Sequence, residues 1–221
     1  MDRPDRLGWR RRTAARLSPC LIALALLAFL LPFASVSCAT PRGYASAGGG
    51  VTATYRGITL VVGGEPELTA PQNVPAPGGP TAEDHVPPQL FATVAFGLAL
   101  AALVTAWTAI GQPERPPYWP AALAAAGAVF LALAQLDFDR TRTARIVERL
   151  QQVAPAALGR ADPAAFVRPG IGFWATLLLL TLAAALNAGL VIAARRARAR
   201  LTRPVETRAP VATPESLPTA A

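Results

Sequence analysis

Four stretches of the chain are apolar and free of charge: 19–36, 90–110, 120–136 and 171–194. A helix needs about 20 such residues to cross a hydrocarbon core of roughly 30 Å. The pattern therefore predicts an all-α membrane protein, a bundle of four transmembrane helices. Two of the blocks open on proline. Ser18-Pro19 offers an N-cap oxygen followed by a residue whose missing N–H is not needed in a first turn, and Pro120 follows Tyr118 and Trp119. The third block, AALAAAGAVFLALA at its centre, is rich in small residues that let helices approach closely.

The polar segments divide the rest. Residues 1–18 form a basic tail, 37–89 a long loop, 111–119 a short loop, 137–170 a second long loop, and 195–221 a tail expected to be disordered. In the first long loop Gly48–Gly50 introduces VTATY, then Arg56-Gly57, then ITLVV, then Gly63-Gly64. Two β-branched runs around a two-residue turn predict a β-hairpin over 51–62. A lone hairpin is marginal in water, so it is expected to pack on the helix ends or on the other long loop. Residues 65–88 are rich in Pro and Gly and predict extended chain. In the second long loop Ile146, Val147, Leu150, Val153 and Ala157 recur at helical spacing, which predicts a short amphipathic helix over about 140–154. Arg142, Arg145 and Arg149 fall along its flank. Such a helix either lies on the membrane surface, its arginines near lipid phosphates, or packs against the hairpin loop. Hairpin and helix together would make a small cap.

Charge sets the expected orientation. All 21 basic residues are arginine, against 13 acidic ones, for a net charge of +8. The absence of lysine excludes Schiff-base and P-loop lysine chemistry. Arginines crowd the two tails, including Arg10, Arg11 and Arg12 at one end and Arg195, Arg196 and Arg198 at the other. Arginine excess marks cytoplasmic segments, so both termini are expected inside and the two long loops outside. The 137–170 loop dissents with six arginines, but the tails outweigh it. The basic tails are read as orientation signals that attract anionic lipid, with no nucleic acid as partner. Trp107, Tyr118, Trp119, Phe173 and Trp174 lie near block ends and are expected as interfacial anchors.

Candidate chemistry is sparse. No block holds an Asp, Glu, Arg or His, groups that ion-coupled carriers and voltage sensors need at depth. Asn187 is the one strongly polar side chain well inside a block and predicts an interhelical hydrogen bond, with Thr105, Thr108 or Thr181 as possible partners. One His and two Cys are too few for a Cys/His zinc site, so no metal or other cofactor is expected. His85 beside Glu83 and Asp84 reads as a solvated loop histidine. Asp137 and Asp139, two residues apart, would not share a helix face. No catalytic motif is present. Ser35-Val36-Ser37-Cys38 closes the first block like a permissive bacterial lipoprotein signal. Cys38 is accordingly a candidate for lipidation or for a thiol that pairs between chains.

LPFASVSC (31–38) followed by TYRGITLVVGG (54–64) resembles a pattern in uncharacterised bacterial four-span membrane proteins. There the first span ends in LPF-x-SVSC, and a Tyr/Thr-x-Gly-x-x-Leu-x-x-Gly segment follows. The resemblance covers about thirty-five residues and implies a bacterial cell-envelope protein without a known activity. The loop layout is also similar to that of claudins and tetraspanins, whose diagnostic loop cysteines and tryptophans are missing here. The sequence thus predicts a multi-pass protein of the bacterial cytoplasmic membrane, not an enzyme. Its expected role is structural or accessory, binding a protein partner, or a second copy of itself, through its spans or its cap. The alternatives are a component of an oligomeric channel or transporter, and a lipidated envelope protein anchored at Cys38.

Overall fold

The computed structural model describes residues 4–37, 52–69, 85–110, 118–153 and 167–201. In chain order the elements are α1 (Pro4–Ala28), β1 (Pro32–Ser37), β2 (Thr52–Arg56), α2 (Gly57–Val62), β3 (Glu67–Thr69), α3 (Leu90–Ile110), α4 (Tyr118–Val153), β4 (Val167–Pro169) and α5 (Ile171–Leu201). The four long helices stand in a square: α1 and α4 each pack against both α3 and α5. A four-stranded antiparallel sheet, ordered β3-β2-β1-β4, closes one end.

The helices pack with small residues inward and large ones outward. On α3 the buried positions are Ala92, Ala95, Ala99, Ala102 and Ala106, a three-four spacing that places one alanine per turn on the inner seam. Ala25, Ala124 and Ala183 face them, with Ile22 and Leu180 as fillers. Leu24, Leu27, Leu100, Val104, Val129, Leu178 and Leu182 point outward and are exposed. Water would penalise that arrangement, whereas lipid, as apolar as leucine, does not, and close backbone approach then holds the helices together. Three helices are long and apolar enough to cross a membrane: Leu90–Ile110, Tyr118–Glu148 and Ile171–Ala197. In α1 the apolar stretch, Arg16–Ala28, is shorter.

The first block differs most from expectation. It is not one helix over 19–36. The helix begins upstream, at Pro4, and stops at Ala28. Phe29, Leu30 and Leu31 then donate to carbonyls three residues back, a tightened last turn. Pro32 accounts for the stop: its ring disfavours helix at Leu31 and removes a donor. The apolar run continues as strand β1, because hydrophobicity alone does not separate a buried helix from a buried strand. Ser18-Pro19 is correspondingly not a helix start; Pro19 lies inside α1.

The hairpin over 51–62 is also corrected. Its first run is β2, but ITLVV forms α2. The partner of β2 is instead β1, in the register Ala34↔Tyr55, Ser35↔Thr54, Val36↔Ala53 and Ser37↔Thr52. Packing overrides the β preference of Ile58 and Thr59. The amide of Ile58, at the start of α2, donates to Phe29 O (2.8 Å), and that of Gly57 donates to Leu31 O (3.4 Å). The orphan donors of one helix start thus meet the orphan acceptors of another helix end. At its far end Gly63 takes φ +81°, and the Gln89 amide and the Thr93 hydroxyl donate to Leu60 O and Val61 O at 2.8 and 3.0 Å.

The predicted helix at 140–154 is not a separate element. It is the outer part of α4, a 36-residue helix about 54 Å long at the usual rise. The turns that carry Arg142, Arg145 and Arg149 continue the apolar part of α4 along the same axis. The C-terminal tail is helical as far as Leu201 rather than disordered from 195; residues 202–221 lie outside the described residues.

Asn187 is buried, and its amide donates to Ser18 Oγ at 2.7 Å and to Ala183 O at 2.8 Å. The partner is on α1, and none of the three threonines expected supplies it. Thr105, Thr108 and Thr181 donate to carbonyls of their own helices. Thr176 makes a second, longer link from α5 to Ala25 O (3.5 Å). Asn187→Ala is expected to destabilise the detergent-solubilised protein by about 1 kcal/mol. Adding Ser18→Ala should cost little more, which thermal unfolding of the two single variants and the double variant checks.

Candidate functional site

The residues of the two motifs converge where the sheet meets the bundle. β1 leaves α1 after a three-residue turn, and β4 enters α5 through Gly170 alone. Gly170 N–H donates to Phe33 O at 2.6 Å, which ties the two junctions together. Phe33 is buried between two glycines. A Cβ on Gly57 would stand 2.7 Å from its ring and 2.9 Å from Phe29 O; one on Gly172 would stand 2.7 Å from the ring and 2.8 Å from Pro32 O. Phe29 stacks beside Phe33 at 4.9 Å and meets Phe96 of α3 edge-on at 5.1 Å. Leu60, Val61, Val86 and Phe173 complete this core. Phe173 is therefore a core residue and not an interfacial ring, whereas its neighbour Trp174 is exposed.

On the sheet's other flank Tyr55 packs edge-on against Phe138 of α4 at 5.4 Å. The Arg142 guanidinium lies 5.1 Å from the Tyr55 ring centroid and 5.6 Å from that of Phe138, so this arginine faces one aromatic ring of the sheet and one of its own helix. The outer part of α4 thus packs against the first long loop through Tyr55. Arg145 is exposed, and Arg149 lies on the helix one turn further on. Arg56 and Glu67 pair across β2 and β3 at 3.0 Å; both are more than half exposed, so the pair is worth about 0–1 kcal/mol.

The polar candidates do not gather. His85 and Asp137 are exposed, and the Asp139 carboxylate accepts from Gln135 Nε2 at 2.7 Å. No group of three or more His, Cys, Asp or Glu side chains with metal-binding geometry occurs among the described residues. Cys20 is exposed and free. Cys38, with the lipidation or intermolecular thiol expected of it, lies outside the described residues, as do Glu83 and Asp84.

At the opposite end Arg195 donates from Nε to the Tyr118 hydroxyl (3.4 Å) and lies 5.4 Å from its ring centroid. Trp107 and Trp119 are strongly exposed at this end, and Trp174 at the sheet end. Arg196 is exposed, and Arg198 follows it on α5. Arg10, Arg11 and Arg12 lie on the N-terminal half of α1.

Sequence reading missed Phe33, Gly57, Gly170 and Gly172 as the joint of the molecule. The signal for Gly57 was present. Gly57, Leu60 and Gly63 are the Gly-x-x-Leu-x-x-Gly of the motif, a spacing of three that fits a short helix better than a strand. Comparison with protein-family models, curated proteins and solved structures finds no match for this chain.

Proposed function

We propose that the protein is a multi-pass, non-catalytic subunit of a bacterial cytoplasmic membrane that holds a rigid external cap in place for a protein partner. In this reading α1, α3, α4 and α5 all cross the bilayer, and both termini lie in the cytoplasm. The apolar stretch of α1 is completed by Phe29–Leu31 and the buried start of β1, which bring it level with the start of α5 at Gly172. The observation that carries the reading is the way the cap is joined to the spans. Its four strands come from the end of the first apolar block and from both long loops, β1 and β4 lead out of α1 and into α5, and the Phe33 joint holds the seam. A binding surface on such a cap loses little entropy on docking, because its backbone is already fixed.

The test is purification of the tagged full-length chain from its native membrane in mild detergent, followed by mass spectrometry of what co-purifies. A stoichiometric partner, lost when cap residues exposed on β2 and β3 are substituted, is the expected result. Recovery of the chain alone overturns the accessory-subunit reading.

A further inference from the structure

We propose that the adjoining basic ends of α1 and α5 form a binding site for the headgroup phosphate of an anionic phospholipid. The inference rests on the membrane reading above and gives the anionic lipid expected at the basic tails a defined place.

The register of the two helices is fixed by two hydrogen bonds between them. They run antiparallel, with Ser18 against Asn187 and Ala25 against Thr176. Eight residues further from the sheet, about 12 Å at the usual rise, α1 reaches Arg10 and α5 reaches Arg195. Arg10, Arg11 and Arg12 of one helix therefore stand within about a turn of Arg195, Arg196 and Arg198 of the other, and packed helix axes lie about 8–10 Å apart. Arg16 adds a further exposed guanidinium toward the bundle.

On α5 no carboxylate offsets that charge, and on α1 the one carboxylate is Asp5, five residues before Arg10. The sequence holds no carboxylate between Asp5 and Glu65, nor between Asp162 and Glu206. The neighbouring 111–119 loop brings one glutamate, Glu114, and one arginine, Arg115, so it leaves the balance unchanged. Arg16, Arg195 and Arg196 are exposed here, and Arg10, Arg11, Arg12 and Arg198 lie on the same two helix ends, so this end of the molecule calls for anions. Guanidinium is suited to phosphate, whose oxygens it can take two at a time.

The surroundings select a lipid over a free anion. Trp107 and Trp119, both exposed, and Tyr118, which meets Arg195, stand at this same end, where aromatic rings sit at headgroup level. Just toward the sheet, Leu17 and Leu24 of α1 and Ile192 of α5 are exposed and offer an apolar wall to acyl chains. Headgroup and tails of one lipid thus each meet matching chemistry.

The full chain purified in a neutral detergent tests this by native mass spectrometry and thermal unfolding, with phosphatidylglycerol, phosphatidylcholine or inorganic phosphate added. Phosphatidylglycerol is expected to remain bound and to raise the unfolding temperature, the other two to do neither. The triple variant R195Q/R196Q/R198Q should bind phosphatidylglycerol on the order of a hundredfold more weakly, at about fivefold per arginine. The charge-matched control R140Q/R145Q/R168Q, at the sheet end, should bind as the wild type does. Equal binding by the two triple variants, no preference over phosphatidylcholine in the wild type, or equal stabilisation by inorganic phosphate would each overturn the proposal. Should the first variant fail to fold, the wild-type lipid preference still decides. Resistance of the membrane-bound protein to alkaline carbonate extraction checks the membrane reading independently, so the two can fail separately.

Discussion

Phe33→Ala is expected to be the most damaging single truncation in the molecule, at about 3–5 kcal/mol. The ring is 2% exposed and is held on every side by groups that cannot follow it inward. Gly57 and Gly172 have no side chain to swing into the space. Phe29 is fixed by its own contacts with Phe96 and by its carbonyl, which accepts from Ile58. Pro32 and Gly170 are tied through the sheet and the Phe33 carbonyl. A site that cannot collapse keeps its cavity, and the cost then lies toward the upper end of the range. The loss should be local before it is global. The cap is joined to the bundle at this point, while the alanine seam of α3 lies further along the helices. Limited proteolysis of Phe33→Ala in detergent should cut first within the sheet segments while α3 and α5 stay intact. Thermal unfolding should show an early transition that the wild type lacks. One unshifted, cooperative transition would mean that Phe33 is not the joint.

How legible this was in the sequence depends on which force sets each element. α3 is read to the residue, because a lone apolar block bounded by polar chain has only one way to satisfy its backbone in lipid. The apolar parts of α4 and α5 are legible for the same reason, but where those helices end is not. Their outer turns are polar, and the Ala and Arg of 195–201 are good helix formers that can carry a helix into water. The first block misled because apolar content does not encode geometry; Pro32 did, and it stood inside the run, four residues from its end. ITLVV misled because its β-branched residues state a local preference that the Phe33 joint outweighs. Ser18 was read as a cap from its neighbour Pro19, whereas its partner, Asn187, lies 169 residues away. Contacts between distant segments, such as Arg142 over Tyr55, leave no local trace in sequence at all.

Gly172→Ala and Gly57→Ala should each destabilise the protein by about 1–3 kcal/mol, although alanine is the better helix former at both places. The added methyl at Gly172 meets the Phe33 ring and Pro32 O, and that at Gly57 meets the ring and Phe29 O. A ring can shift by a few tenths of an ångström; a backbone carbonyl held in a sheet or a helix end yields less. The same substitution elsewhere should have the opposite sign. Gly97 and Gly189 lie on α3 and α5 with nothing within 4 Å of where a methyl would stand, so Ala there gains up to about 1 kcal/mol of helix propensity and meets no clash. Four glycine-to-alanine changes thus divide into two pairs by contact geometry alone, and thermal unfolding in one detergent compares them directly. A double-mutant cycle locates the cause. Phe33→Leu removes the ring edge that the new methyl strikes, so Gly172→Ala should cost less in that background than in the wild type, with a coupling of roughly 0.5–3 kcal/mol. Strict additivity would place the strain at the Pro32 carbonyl instead of the ring. Destabilisation at all four positions would show that contact with Phe33 is not what sets the sign.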